Sequence, residues 1–298
     1  MTTYPSRVSL IEVGPRDGLQ NEATPLSIAD KIQLIDALSK TGLSHIECGS
    51  FVSPKWVPQM AHSDAVLDGI VRQAEITYSA LVPNQKGFEN CVTHNPDEIA
   101  IFTAASNEFT QKNINCSITE SLSRFEPIMR SAQTQKLPVR GYISTVVSCP
   151  YQGKVDPKAV LAVAKELLAL GCYEISLGDT IGVGTPRQVA ELLEVLLTDI
   201  PVDQIAVHFH NTYGQAIANI SKALEYGVTR IDSAIAGLGG CPYAKGASGN
   251  IATEDVVYLL DGLGIQHGVD LERCIKVGRD ISRKLNKPPP SLVNQAYL

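Results

Sequence analysis

The chain has 298 residues, 44% of them hydrophobic and 19% charged, with a formal net charge of -6. This is ordinary globular composition. The absence of any long basic run argues against nucleic acid as a partner, and no apolar stretch approaches the ~18 residues that would span a bilayer.

The seven cysteines (48, 91, 116, 149, 172, 241 and 274) are odd in number and include no Cys-x-x-Cys pair. That pattern argues against a disulfide framework or a zinc knuckle and for a reducing cytoplasm. The opening Met1-Thr-Thr-Tyr-Pro-Ser-Arg7 has no apolar signal region and is too short for a transit peptide.

In chain order, β-rich runs alternate with helical spacing from end to end. Val8–Val13 reads as the first strand, followed by a helix capped by Ser27 with Ile28, Ile32, Ile35 and Leu38 on its inner face. His45–Cys48, Glu75–Leu81, Glu98–Phe102 and Val139–Val147 are the next strands. Asp156-Pro157 opens a helix that stops at Gly171. Tyr173–Leu177 follows, then a helix opened by Thr185-Pro186, then Gln204–His210 and Arg230–Ile235. Residues 253–286 read as two helices, and Pro288-Pro289-Pro290 starts an irregular tail.

Strict alternation predicts parallel strands with right-handed crossovers, and eight units suit a closed (β/α)8 TIM barrel. One α/β domain, 1–298, is expected, with the barrel over about 7–264 and an additional C-terminal helix and tail over about 268–298. A dinucleotide fold is disfavoured, because Gly182-Val-Gly184 and Gly237-Leu-Gly239 both lack the third glycine of that fingerprint.

In such a barrel the active site lies at the C-terminal ends of the strands. The first strand ends in Gly14-Pro15-Arg16-Asp17-Gly18, a cation beside an anion. In the seventh, alternation puts Ile205, Val207 and Phe209 on one face and Ala206, His208 and His210 on the other, toward the lumen. Two imidazoles at that spacing can bind one cation. Asp17 offers a carboxylate and Asn250 a carbonyl oxygen, a nitrogen–oxygen set that suits Mg2+ or Mn2+. A closed structural zinc site would draw on cysteines.

Further polar groups mark other strand ends: Glu47 and Ser50, Tyr142, Ser176 and Asp179. The remaining histidines (45, 62, 94 and 267) are read as structural residues of helices and loops. Residues 237–250 hold five glycines with Cys241 and Asn250, and read as a flexible flap with little share in the core.

Val13-Gly-Pro-Arg-Asp-Gly-Leu-Gln-Asn-Glu22, His208-Phe-His-Asn211 and the stretch from Gly237 to Asn250 closely resemble the 3-hydroxy-3-methylglutaryl-CoA lyases, a family of TIM-barrel metallolyases. The first two motifs occur across that superfamily, and the third is the lyases' own. The resemblance implies cleavage of (S)-3-hydroxy-3-methylglutaryl-CoA to acetoacetate and acetyl-CoA, as in leucine breakdown and ketone-body formation.

It further implies Asp17, His208, His210 and Asn250 as ligands of the divalent cation, Arg16 by the acyl group, Cys241 as the catalytic thiol and Glu47 in support. Gln20, Ser50, Tyr142, Ser176 and Asp179 are expected on the substrate side. The proton of the tertiary hydroxyl would go to Asp17 or His208, and the two are not separable at this level. The expected partner is a small-molecule acyl-CoA, the expected assembly a homodimer or higher homo-oligomer.

One departure is that some members carry a lysine two residues after the asparagine of the last helix, whereas Asn286 is followed at once by Lys287-Pro288. The tail also lacks the C-terminal cysteine of some members, so thiol regulation there is not expected. The competing readings are a superfamily lyase or synthase on another hydroxyacyl-CoA (a longer branched analogue, for example) or 2-oxo acid, and a catalytically silent acyl-CoA- or metal-binding barrel.

Overall fold

The computed structural model describes residues 4–241 and 244–297, with backbone only for 241 and 244–248. Eight parallel strands close into one barrel: β1 (Ser9–Glu12), β2 (His45–Ser50), β3 (Thr77–Leu81), β4 (Glu98–Ala104), β5 (Val139–Ser144), β6 (Glu174–Asp179), β7 (Ile205–Phe209) and β8 (Arg230–Ser233). Each strand pairs with its sequence neighbours, and β8 closes on β1 through Ser9↔Arg230 to Glu12↔Ser233. The expected eight units are all present, with helices between consecutive strands.

The expected helix starts hold for a stated physical reason. The Ser27 hydroxyl accepts from Asp30 N–H while Asp30 answers on Ser27 N–H, closing a capping box. Asp156 caps Pro157–Leu170, and Gly171 ends it at φ 111°.

Several details differ from the sequence reading. The face of Ile28–Leu38 that is buried consists of Lys31, Leu34, Ile35 and Leu38, with Ile28 and Ile32 only half-buried. Lys31 lays its stem along the barrel and donates from Nζ to the Gln59 carbonyl. The fifth strand stops at Ser144 because Thr145 takes φ 60°. Residues Ser148–Cys149 then pair with Gly153–Lys154 in a separate antiparallel hairpin. After β4 there are two helices, Asn107–Ile114 and Ile118–Gln135.

The tail is also not irregular throughout. Ser291 caps a short helix, Leu292–Ala296, and Asp255 anchors it by accepting from Ser291 Oγ (2.6 Å) and Val293 N–H (3.0 Å). His45 opens β2, in line with the strand expected over His45–Cys48 and not with its grouping among helix and loop histidines, and its Nε2 lies 3.0 Å from Ser79 Oγ.

Candidate active site

Strand β1 passes into a single π-helical turn, Gly14–Gly18, in which Gly18 N–H reaches back to the Val13 carbonyl. Turns of this kind re-aim side chains at functional sites. Gly18 is required here by close approach, since a Cβ on it would stand 2.7 Å from Leu238 Cβ. The π-turn is thereby packed against the start of the glycine-rich segment.

Arg16, buried, donates from Nε to Glu47 Oε2 (2.6 Å) and from Nη1 to Asp17 Oδ1 (2.6 Å). Its guanidinium carbon lies 5.2 Å from the centre of the Tyr142 ring, and Tyr142 OH is 3.4 Å from Glu47 Oε2. The other oxygen of Asp17 faces β7, with Oδ2 3.6 Å from His208 Nε2 and 3.9 Å from His210 Nε2. The two imidazole nitrogens are 3.3 Å apart. Alternation thus delivers both rings to one point, as expected from the sequence.

Asn250 reaches that point through backbone stitching. It bridges to His210, while Asn211 N–H donates to the Gly249 carbonyl and Ile251 N–H to the Phe209 carbonyl. Its Nδ2 donates to Asp17 Oδ2 (2.9 Å) and to the Leu238 carbonyl (3.2 Å). The amide therefore presents nitrogen, not the expected oxygen, to the cluster, and has to turn over to act as an oxygen ligand.

Burial alone would raise the Asp17 carboxyl, but Arg16 and then His208 and His210 hold it well below the usual carboxylate range. Burial would lower His208, yet Asp17 and Asp232 on either side raise it to about 9. Burial and the charge on His208 push His210 down to about 4. Burial raises the Glu47 carboxyl against the pull of Arg16.

One ligand atom from each of Asp17, His208 and His210 lies within 4.8 Å of the others. An anionic oxygen beside two buried ring nitrogens that face each other is a donor set that a divalent cation satisfies. The HMGL-like family model matches residues 7–281. The chain belongs to this family.

Its relatives carry the corresponding name. The chain is 55% identical to the mitochondrial hydroxymethylglutaryl-CoA lyase of Macaca fascicularis, covering 99% of this chain and 91% of the relative. It is 54% identical to the 3-hydroxy-3-isohexenylglutaryl-CoA/hydroxy-methylglutaryl-CoA lyase of Pseudomonas aeruginosa, covering 99% and 98%. The crystal structure of hydroxymethylglutaryl-CoA lyase from Pseudomonas aeruginosa superposes with a TM-score of 0.97 at 54% identity, over 98% of each chain.

Within this HMGL-like frame the other expected residues divide. Gln20 and Tyr142 join the cluster, Gln20 through a long Nε2 contact to Asp17 Oδ1 (3.5 Å). Ser50 Oγ instead accepts from Val52 N–H (3.3 Å) in its own loop. Ser176 Oγ donates to Asp232 Oδ2 (2.8 Å). Asp179 accepts from Gly184 N–H (2.8 Å), so it shapes the turn after β6. Lys287 pairs with Glu22, and the same Glu22 oxygen accepts from Gly239 N–H (3.1 Å). The Cys241 side chain lies outside the described residues.

The backbone of the glycine-rich segment is a hairpin, Gly240–Cys241 against Ala244–Ser248. Contrary to the sequence reading, Leu238 at its root is fully buried in the core. The sequence reading also missed Arg140, Glu174 and Asp232, which are buried in the lumen beneath the histidines. The available signal was charge within short barrel strands: Arg140 in Val139–Ser144, Glu174 and Asp179 at the two ends of Glu174–Asp179, and Arg230 and Asp232 in Arg230–Ser233.

Proposed function

We propose that this chain cleaves (S)-3-hydroxy-3-methylglutaryl-CoA between C2 and C3, releasing acetoacetate and acetyl-CoA, with residues 1–298 acting as one catalytic unit. The observation that carries this is the single hydrogen-bonded site in which Arg16 touches Asp17 while Asp17 faces His208 and His210.

Asp17, His208, His210 and a turned Asn250 would hold the cation, Mg2+ or Mn2+. When bound, it supplies Lewis-acid polarisation of the substrate hydroxyl. Asp17, whose carboxylate has a second oxygen, takes the hydroxyl proton as the C2–C3 electron pair leaves with the thioester fragment. His208, with Nε2 on the cation and its proton on Nδ1, has no free lone pair for it. Arg16, held by Glu47, stabilises the enolate oxygen where charge develops. Cys241 then returns a proton to the enolate carbon.

A groove of about 490 Å³ lined by Gln20, Glu22, Pro25, Lys31, Gln59 and His62 adjoins the cluster through Gln20, and this reading assigns it to the arm of the acyl-CoA. The six other cysteines are buried and free, which fits a reducing compartment, whether a bacterial cytoplasm or a mitochondrial matrix. A homo-oligomer remains part of this reading. No helix among the described residues is long and apolar enough to cross a membrane.

The Pseudomonas aeruginosa relative's name supports a second reading, a longer branched acyl chain at the same site. Acetyl-CoA release by purified protein with Mg2+ or Mn2+ tests both. Turnover of the methyl substrate with higher kcat/KM than the isohexenyl one supports the first reading. The reverse ranking supports the second, and no release from either removes the proposal.

Cation uptake carries a pH signature. Asp17 is already ionised and His210 already neutral near neutrality, so the proton displaced is the one His208 holds up to about 9. The Mn2+ affinity is therefore expected to rise roughly tenfold per pH unit from about pH 6 to 8 and to flatten toward 9. A titration that is flat over this range would show that His208 Nε2 is not a ligand.

A further inference from the structure

We propose that Asp232 is a positioning residue: it fixes His208 with its proton on Nδ1 and thereby keeps Nε2 turned toward the cation cluster. The inference rests on the metal reading above, but concerns a residue outside the ligand set. Register places Asp232 of β8 directly opposite His208 of β7. Asp232 is 2% exposed, and its Oδ2 lies 3.1 Å from His208 Nδ1. An ionised carboxylate can only accept, so the partner identifies the protonated ring nitrogen.

The carboxylate is itself immobilised. Arg140 donates from Nη2 to Oδ1 (2.7 Å) and from Nη1 to Oδ2 (3.0 Å), a bidentate fork, and Ser176 adds a third donor. Arg140 is locked in turn by Glu174 Oε1 (2.6 Å) and Tyr142 OH (2.8 Å). The Tyr142 ring meets the His208 ring edge-on at 6.0 Å, which limits the ring's rotation.

His210 differs. Its Nδ1 is buried without a hydrogen-bond partner among the described residues. Of the two imidazoles, His208 is the one whose tautomer the described residues set. A carboxylate behind a liganding histidine orients the ring and raises its basicity, and losing such a partner costs about 10–100-fold in metal affinity.

Asp232→Asn is the direct test, because an amide has one acceptor oxygen. It removes the negative charge, and its NH2 stands either at the Oδ1 place against Arg140 Nη2 or at the Oδ2 place against His208 Nδ1 and Arg140 Nη1. The free Mn2+ signal during titration reads affinity without any turnover, and circular dichroism with thermal melting reads the fold. Glu98→Gln is the matched control. It alters another buried carboxylate, which accepts from Tyr173 OH (2.7 Å), and is expected to shift the melting temperature but not the Mn2+ affinity.

Because Asp232→Asn leaves Arg140 partly uncompensated, the pair Arg140→Met with Asp232→Leu removes both buried charges together and guards against simple unfolding. In either folded variant Mn2+ affinity is expected to fall about 10–100-fold. Nitrogen NMR of the Mg2+-loaded wild type should show the His208 proton on Nδ1. Wild-type Mn2+ affinity in a folded Asp232 variant, or a His208 proton on Nε2, would overturn the proposal. Failure of the wild type itself to bind Mn2+ would instead overturn the metal reading.

Discussion

Arg16→Lys is expected to lower kcat by on the order of 10² or more, comparable to loss of an oxyanion donor, with the barrel intact. The guanidinium is one planar unit doing two things at fixed angles, donating from Nε to Glu47 and from Nη1 to Asp17. An ammonium is a point charge on a flexible stem and cannot span both carboxylates while remaining in plane over Tyr142. Glu47 would then lose its guanidinium partner and keep the longer Tyr142 OH contact on Oε2, while its Oε1 has no partner among the described residues. Because the charge is retained, the buried carboxylates stay compensated and the melting temperature should move far less than in Arg16→Ala. Steady-state kinetics beside a thermal melt give the answer. Near-normal kcat in the lysine variant would leave Arg16 as a structural ion pair only.

Cys241→Ala is expected to lower kcat by about 10²–10⁴, the range for removing a general acid, while leaving Mn2+ binding and the fold in place. The hairpin carrying Cys241 is rooted at the site at both ends. At one end Gly239 takes φ 116°, and a Cβ there would stand 3.1 Å from Asn250 Nδ2. At the other, Asn250 donates to Asp17. A free thiol of pKa about 8.5 is largely protonated near neutrality and so able to donate. Serine should rescue poorly, being a much weaker acid. Native-state alkylation should inactivate, because the six other cysteines are buried, and burial pushes Cys91 and Cys172 up to about 12. A bound substrate analogue should protect. Normal turnover by Cys241→Ala would move the proton donor elsewhere.

The local patterns reached a long way into this molecule. Period-two alternation in β7 was enough to put His208 and His210 on one lumen-facing side, because strand geometry is decided by immediate neighbours. Caps at Ser27 and Asp156 were legible for the same reason, each being closed within three residues. The pairing of Arg16 with Asp17 needed only adjacency and a strand end.

The tertiary structure decided what depends on register and crossing distance. Arg140 meets Asp232 across 92 residues, and only the pairing of β7 with β8 sets Asp232 behind His208. Ser176 and Asp179 looked like substrate groups at a strand end, yet their hydrogen bonds go to Asp232 and to a neighbouring turn. A side chain's partner is chosen by whichever donor the closed barrel brings nearest, and a polar residue at a strand end carries no local mark of that choice. The same holds for Asn250, whose place beside Asp17 was readable from its motif. Which amide atom faces the carboxylate followed from the Leu238 carbonyl on its other side.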